Sequence, residues 1–336
     1  MNEKILTVVV PSYNVEKYLN QCLDSFIVED ILADLEVLIV NDGSKDNTEK
    51  IGLQYQTEYP QTFKVITKEN GGHGSAINTG ISNASGKYFK VVDGDDWINT
   101  SELKDFIRFL KKSSVDIVAS NYCWIDHGTQ KPMQRQEHPF EGIEYKKDYL
   151  FDEISSRVFI KMHSMTIKTQ ILSEHNIKIS EHRFYVDAEY IFFPIPYVRT
   201  VSFYESEMYM YRLGLPGQSM DVKKMQKNLQ HHYDVLMRMI LYYEELDKSG
   251  LSEAKLTYLQ YSISRMLTSQ FKIYISFPLG NGMRRKMMDL DKQVKAAYPQ
   301  IYSAVTNKSI WILRKSGYLL FPAAVVSFRL LKAKIK

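Results

Sequence analysis

The feature that most constrains this chain is a rhythm in its first 120 residues. Short β-branched and aliphatic runs recur there, each closed by a polar cluster and followed by an amphipathic stretch of helical length. Ile5–Val10 is such a run, stopped by Pro11, and reads as a buried parallel strand. Val15, Tyr18, Leu19, Cys22, Leu23, Phe26 and Ile27 follow at spacings of three and four, a helix with one wet face. Glu36–Val40 is a second strand, and NDGSKDNT turns into a helix over Thr48–Tyr59. Phe63–Thr67 is a third strand. GGHGSAINTGISNAS is a glycine-rich turn with a short helix, and Tyr88–Val92 a fourth strand. A helix over Glu102–Leu110, capped by Asn99 or Thr100, and a strand over Val115–Ala119 complete the series. Strand and helix alternating at this pace predict an α/β fold with a mostly parallel, Rossmann-like sheet flanked by helices. Such sheets bind ligands outside the carboxyl ends of their strands, where the polar clusters fall.

The rest is less regular. Residues 121–145 are polar and read as loop, Ile191–Met210 as mixed strand, and Val222–Ile275 as mainly helical, with Leu229, Tyr233, Leu236, Met237 and Ile240 on one face. The expected division is an α/β domain over residues 1–220 and a helical, basic region over 221–336. At 336 residues and 44% hydrophobic, the chain can bury a full core. Cys22 and Cys123 lie in no Cys/His cluster, so the expectation is a cytoplasmic protein with free thiols. The first apolar run is too short for a signal peptide or a spanning helix.

Several polar clusters invite chemistry. YFKVVDGDDW sets Asp93, Asp95 and Asp96 at the mouth of a run that belongs in the core. Carboxylates so placed repel one another and lose solvation. A hard divalent cation, Mg²⁺ or Mn²⁺, relieves both and can also grip a diphosphate; the bland alternative has Asp96 capping the next helix. Asp42 and Ser44 close the second strand. There Asp42 could accept from a base N–H or sugar hydroxyl, or could cap the following helix through an Asx turn. Gly72, His73 and Asn78 lie in a turn that matches neither the dinucleotide fingerprint nor the triphosphate loop. A helix starting near His73 would nevertheless offer free N–H groups to a ligand. Asp187, in YVDAEYIFF, could be a general base at a cleft wall or a surface acid. MYRLGLPGQSM reads as a turn or mobile loop carrying Arg212, near a diphosphate or simply paired at the surface.

VVVPSYNVEKYLNQCLDS, EVLIVNDGSKDNT, ENGGHGSAINTGISNASGKY and FKVVDGDDW, in that order, resemble the family 2 inverting glycosyltransferases, which use nucleotide-sugar donors. The resemblance is dense over residues 5–97 and implies the GT-A fold. It implies that Pro11 and Tyr13 frame the pocket for a base, often uracil, which Asp42 addresses. Asp93 would be the first acid of the DxD motif and Asp95 the second, ligating the cation, with Asp96 able to share that duty. It places the base at Asp187, although Val186 stands where similar enzymes carry a glutamate. The tryptophan motif of processive relatives is not evident, which favours transfer of one sugar to a glycan or lipid-linked glycan. Two other readings stay in play: a nucleotidyltransferase, which should carry a basic glycine-rich loop where this chain reads PSYNVEKYLN, and a nucleotide-sugar-binding protein without activity.

Charge divides the chain. Lys255–Lys336 holds 15 basic and 2 acidic residues, +13 of a total of +4, which leaves −9 for residues 1–254. Basic groups beside Trp311, Tyr318, Leu319, Leu320 and Phe321 suit an interfacial helix on the anionic inner face of a cell membrane. Ser316–Phe328, 13 uncharged residues with Pro322 among them, are too few to span one. Nucleic acid is a poor partner for so apolar a tail. The alternative is a helix packed on the domain with its lysines in water.

Overall fold

The computed structural model describes residues 4–133, 140, 142–215, 218 and 221–333, with side chains to residue 330. It divides into two compact units, Met1–Pro216 and Gly217–Lys336. The strands of the first are β1 (Leu6–Ser12), β2 (Leu35–Asn41), β3 (Phe63–Thr67), β4 (Tyr88–Val91), β5 (Trp97–Ile98), β6 (Ile117–Asp126), β7 (Asp148–Leu150), β8 (Met165–Lys168) and β9 (Thr200–Leu213). They form one sheet in the order β3-β2-β1-β4-β8-β6-β9-β5, with β7 added to β9. The half built from β1 to β4 is parallel. Beyond β4 the sheet is mixed, because β8 enters antiparallel to both β4 and β6.

Helices α1 (Leu19–Asp24), α2 (Thr48–Glu58), α3 (His73–Asn83) and α4 (Thr100–Lys112) return the chain between the parallel strands and on towards β6. Two-residue periodicity sorts β1: Leu6, Val8 and Val10 join Leu19, Leu23, Phe26 and Phe106 in one core. Val9 faces the other way, under α3. There Gly80 lies so close that an added Cβ would stand 2.3 Å from Val9 Cγ2, so the helix can dock only through glycine. Cys22 and Cys123 are buried and unbridged.

The structure corrects several local expectations. Pro11 does not stop β1, which continues to Ser12 beside β2. Pairing with β4 ends at Val9, so no partner strand there demands the N–H that proline lacks. Asn99 precedes α4 but makes no side-chain cap bond. Residues 121–126 are strand, not loop: β6 runs on to Asp126 along β9, through register shifts around Asn121. Its Asn and Asp carry polarity that local reading takes for loop, while β9 supplies the ladder. Pro216, Gly217, Ser219 and Met220 of the expected mobile segment lie outside the described residues.

The second unit is helical: α8 (Val222–Lys227), α9 (Leu229–Glu245), α10 (Glu253–Ser276), α11 (Met283–Ala297), α12 (Pro299–Ser303), α13 (Lys308–Lys315) and α14 (Phe321–Ala333), with α5 (Phe151–Ile154), α6 (Thr169–Glu174) and α7 (Asp187–Phe192) belonging to the first unit. The buried face of α9 is His232, Val235, Leu236, Met239, Ile240 and Tyr243, so Tyr233 and Met237 stand at its margin. His232 Nδ1 meets Gln270 Oε1 of α10 at 2.6 Å. Burial pushes its pKa down to about 4, so the imidazole is neutral in the fold and ionises more readily in the unfolded chain. Stability from this site is therefore present above the ordinary histidine pKa and is lost as pH falls towards 4. Denaturant unfolding should show about 2–3 kcal/mol lost between neutral pH and pH ~4.5 through this residue, and His232→Gln should remove that part of the slope. An unchanged slope in the variant would assign the acid sensitivity elsewhere.

Candidate active site

At the carboxyl ends of β1, β2 and β3, three loops are tied together by side chains from the turns themselves. Ser44 Oγ accepts the Asn14 N–H at 3.0 Å, and Asn14 Oδ1 accepts that of Lys45 at 2.8 Å. Asn41 forms the Asx turn, accepting from Ser44 N at 3.0 Å, and so leaves Asp42 for other work. Asp42 is buried. Its Oδ1 accepts from Gly71 N at 2.9 Å and Lys68 Nζ at 2.9 Å, and its Oδ2 from Gly72 N at 2.7 Å. Gly72 has φ +83°, and an added Cβ would stand 3.3 Å from His182 N. One carboxylate thus folds the glycine turn in front of α3. Tyr13, 49% exposed, stands at the end of β1 with Pro11 buried beneath.

Asn78, expected at the donor, is instead a backbone clamp. Its Nδ2 donates to Ile179 O at 2.9 Å and its Oδ1 accepts from Ile179 N at 2.8 Å. Glu189, fully buried, accepts from Ser180 N and Oγ at 2.6 and 2.8 Å. Between them they hold a segment whose Ser180 O would sit 2.1 Å from any Cβ on Gly74, and whose His182 N–H donates to Gly71 O at 2.5 Å. Nothing in the sequence pattern marks this strap; it pairs residues about a hundred positions apart.

The acidic cluster follows β4. His73, first in α3, places Nε2 2.7 Å from Asp93 Oδ1. The Tyr209 hydroxyl accepts from Asp93 N at 3.2 Å and donates to Asp96 Oδ2 at 2.6 Å, while Arg212 N donates to Asp96 Oδ1 at 2.7 Å. The Arg212 side chain is buried: it donates to Asp95 O, Gln21 and Gln130 and lies against Trp97 and Tyr18, 4.7 and 5.1 Å from the ring centres. It stands on β9 rather than on a mobile loop.

Burial and mutual repulsion set the charges. Burial, then Asp95 and Asp93, hold the Asp96 carboxyl well above the usual range, and burial with Asp93 pushes Asp95 up to about 6. Asp93 goes the other way, because the His73 charge and hydrogen bond outweigh its burial. The His73 imidazolium is opposed by burial yet raised overall by Asp93, with Asp187 and Asp95 adding to it. Asp187 begins α7, close enough to feel both His73 and Asp93. Crowding by protein, followed by Asp93, raises its carboxyl, against the pull of His73. The residue as a whole stays exposed, so a substrate can reach it.

Ligand atoms of Asp93, Asp96 and His163 come within 4.8 Å of one another. The grouping differs from the expected Asp93, Asp95 and Asp96 in drawing on His163, whose ring lies among Tyr122, Tyr209 and Tyr211. The carboxylate oxygens suit Mg²⁺ or Mn²⁺, whereas the imidazole is a ligand more typical of a softer transition ion. The raised Asp95 and Asp96 report an excess of buried negative charge that such an ion would relieve, so the residues fit one. Lys90, also outside the sequence reading, is buried on β4. Its Nζ donates to His163 O at 2.8 Å and lies 5.7 Å from the Tyr209 ring centre, and burial pulls its pKa to about 7.

The family model for glycosyl transferase family 2 matches residues 7–174. The chain belongs to this family. Family 2 is a family of enzymes, and the sheet, its helices and the helical second unit follow its GT-A-like architecture. Similar bacterial proteins include glycosyltransferase GlyA of Streptococcus pneumoniae, 39% identical over 117 residues, which are 35% of this chain and 16% of that protein. Another is the minor teichoic acid biosynthesis protein GgaB of Bacillus subtilis, 29% identical over 243 residues, 69% of this chain and 26% of that protein. The matched stretches thus span well under half the length of these relatives. In fold, the chain is like S. aureus TarS residues 1–349 in complex with UDP-GlcNAc: TM-score 0.65 and 19% identity, over 97% of this chain and 92% of that one.

Asp42→Ala strips the acceptor from two buried glycine N–H groups. It should cost about 1–3 kcal/mol in denaturant unfolding as the turn loosens. An unfolding midpoint equal to that of the parent would show that the turn holds without its carboxylate.

Proposed function

We propose that the chain transfers one sugar, with inversion, from a nucleoside-diphosphate sugar to an acceptor hydroxyl on a glycan or lipid-linked glycan. The observation that carries this reading is the charge pattern at the strand ends. An acid held ionised by His73, Asp93, stands within electrostatic reach of an exposed acid whose affinity for protons is raised, Asp187. A displacement of this kind uses those two properties on two groups, one staying ionised so that it can hold a cation at the leaving diphosphate and one taking a proton.

On this reading the acceptor oxygen forms its bond to the anomeric carbon while Asp187 takes the hydroxyl proton. The bond from that carbon to the diphosphate oxygen breaks, and the electron pair leaves with the nucleotide. Tyr13 and Pro11 offer a wall for the base beside the turn folded by Asp42. Asp93 would hold a divalent cation, with Asp96, Asp95 and His163 around it, and such an ion would supply neutralising charge for the diphosphate. Tyr209 and the Arg212 N–H fix Asp96, and His73 fixes Asp93. A uridine nucleotide is the first donor to try, since the TarS fold was captured with UDP-GlcNAc. The teichoic acid role in the name of GgaB favours a cell-surface glycan acceptor.

Asp187→Asn should leave donor affinity within about twofold and lower turnover by roughly 10²–10⁴. Calorimetry with the donor and Mn²⁺, together with product release across an acceptor panel, separates the two effects. Undiminished turnover would remove Asp187 from the reaction. Donor binding with no transfer by the parent chain would favour the binding protein over the enzyme.

A further inference from the structure

We propose that the α13–α14 hairpin of the second unit is a docking element for an anionic phospholipid surface. The inference concerns a different part of the molecule from the proposed transfer and does not rest on it.

The hairpin is built, not frayed. Asn307 caps α13, accepting from Ser309 N at 3.1 Å and Ile310 N at 3.2 Å. Ile310 and Leu313 of α13, with Phe321 and Val325 of α14, are buried. The turn is locked from below by Asp291 of α11, a buried acid. It takes Arg314 Nη2 at 2.7 Å and Nε at 3.1 Å, and the Tyr318 hydroxyl at 2.5 Å. Tyr302 lies flat on the Arg314 guanidinium, 3.6 Å from ring centre to Cζ. A cation is thus spent on holding the hairpin shut.

What the lock presents outward is apolar. Leu319 is 73% exposed, Leu330 62% and Trp311 57%, with Ile312, Leu320 and Val326 also in solvent. These fall at helical spacing: Lys308, Trp311, Ile312 and Lys315 share one face of α13, and Val326, Arg329 and Leu330 one face of α14. Lys308, Lys315 and Arg329 are exposed beside them, and Lys315 Nζ lies 5.8 Å from the Trp311 ring centre. No acidic residue follows Asp291 anywhere in the sequence, while nine basic ones do. Large aliphatic groups at the tip, tryptophan at the flank and cations of one sign behind them match the depth profile of a lipid interface. A second copy docking on the same face would set like charges against each other, and nucleic acid would leave the leucines unmatched. Among the described residues no helix is long and apolar enough to cross a membrane, so the contact would lie on the surface.

The test uses the full chain and vesicles, with neither donor nor acceptor, so that its outcome is independent of any transferase activity. The chain should co-sediment with vesicles of phosphatidylcholine containing a quarter phosphatidylglycerol and stay in solution with pure phosphatidylcholine. Leu319→Glu with Leu320→Glu should lower partitioning at least tenfold, and high salt should weaken what remains. Since that variant could disturb the hairpin, tryptophan fluorescence gives a second reading: brominated lipid should quench the unaltered chain only in anionic vesicles, and the part of the signal lost in Trp311→Phe, which keeps Trp97 and Trp124, should be the part that is quenched. Equal partitioning to both vesicle types, or Trp311 fluorescence indifferent to brominated lipid, would overturn the proposal. So would a lipid-free dimer that the leucine substitutions dissolve, since that would make the face a contact between copies.

Discussion

The structure depends on how it accommodates three carboxylates within four residues at the end of a buried strand. Like charges so close, with little water, cannot all stay ionised at neutral pH unless partners are arranged for them. The fold answers each acid differently. Asp93 receives the imidazole of His73, Asp96 is clasped by the Tyr209 hydroxyl and the Arg212 N–H, and Asp95 keeps a raised affinity for protons. These partners come from β9 and the start of α3, elements that meet the acids only because the sheet places them there. Much of the mixed half of the sheet reads, physically, as the scaffold that brings Tyr209, Arg212 and His163 to the mouth of β4.

That dependence explains what the sequence could and could not reveal. Leu35–Asn41 announces itself because it is buried on both faces and nearly apolar throughout, while Phe63–Thr67, at the sheet edge with Lys64 and Thr67 exposed, is legible from its short β-branched run, and both emerge nearly as read. The acids and glycines at their ends are legible for the same reason, being interruptions in an apolar pattern. β8 has four residues and no such pattern of its own, and β6 beyond Ser120 owes its pairing to β9 more than to composition. Residues whose role lies in partnership across forty or more positions had no local signal: His163 with its aromatic neighbours, Lys90 beneath it, and Asn78 gripping Ile179. Asn78 and Arg212 stood out in the sequence, but not the partners they bind, Ile179 for one and Asp95, Gln21 and Gln130 for the other.

A second regularity concerns glycine and carboxylate acting together. Asp42 could have met a ligand directly, yet its oxygens already accept from Gly71, Gly72 and Lys68. Any influence on a bound base would therefore pass mainly through the turn it shapes, with spare lone pairs contributing at most a further contact. Gly74 extends the logic, since the Ile179–His182 strap can cross α3 only where there is no side chain. The polar edge of the site is rigid because its acceptors and donors are committed to one another.

On the proposed reading, environment alone assigns roles to chemically identical acids. A base must be reachable, must rest ionised, and gains from a proton affinity nearer the working pH. Asp96 fails on reach, being buried with both oxygens engaged. Asp93 fails on affinity, since the His73 charge pulls its pKa down and makes it a better partner for a cation than for a proton. Asp187 is the better candidate: it is exposed, its carboxyl is raised by crowding and by Asp93, and His73 restrains that rise. The same histidine thus holds one acid low and limits the rise of the other. Its removal would blur the distinction between them, and on this reading that distinction is what separates the group that stays charged from the group that accepts the proton.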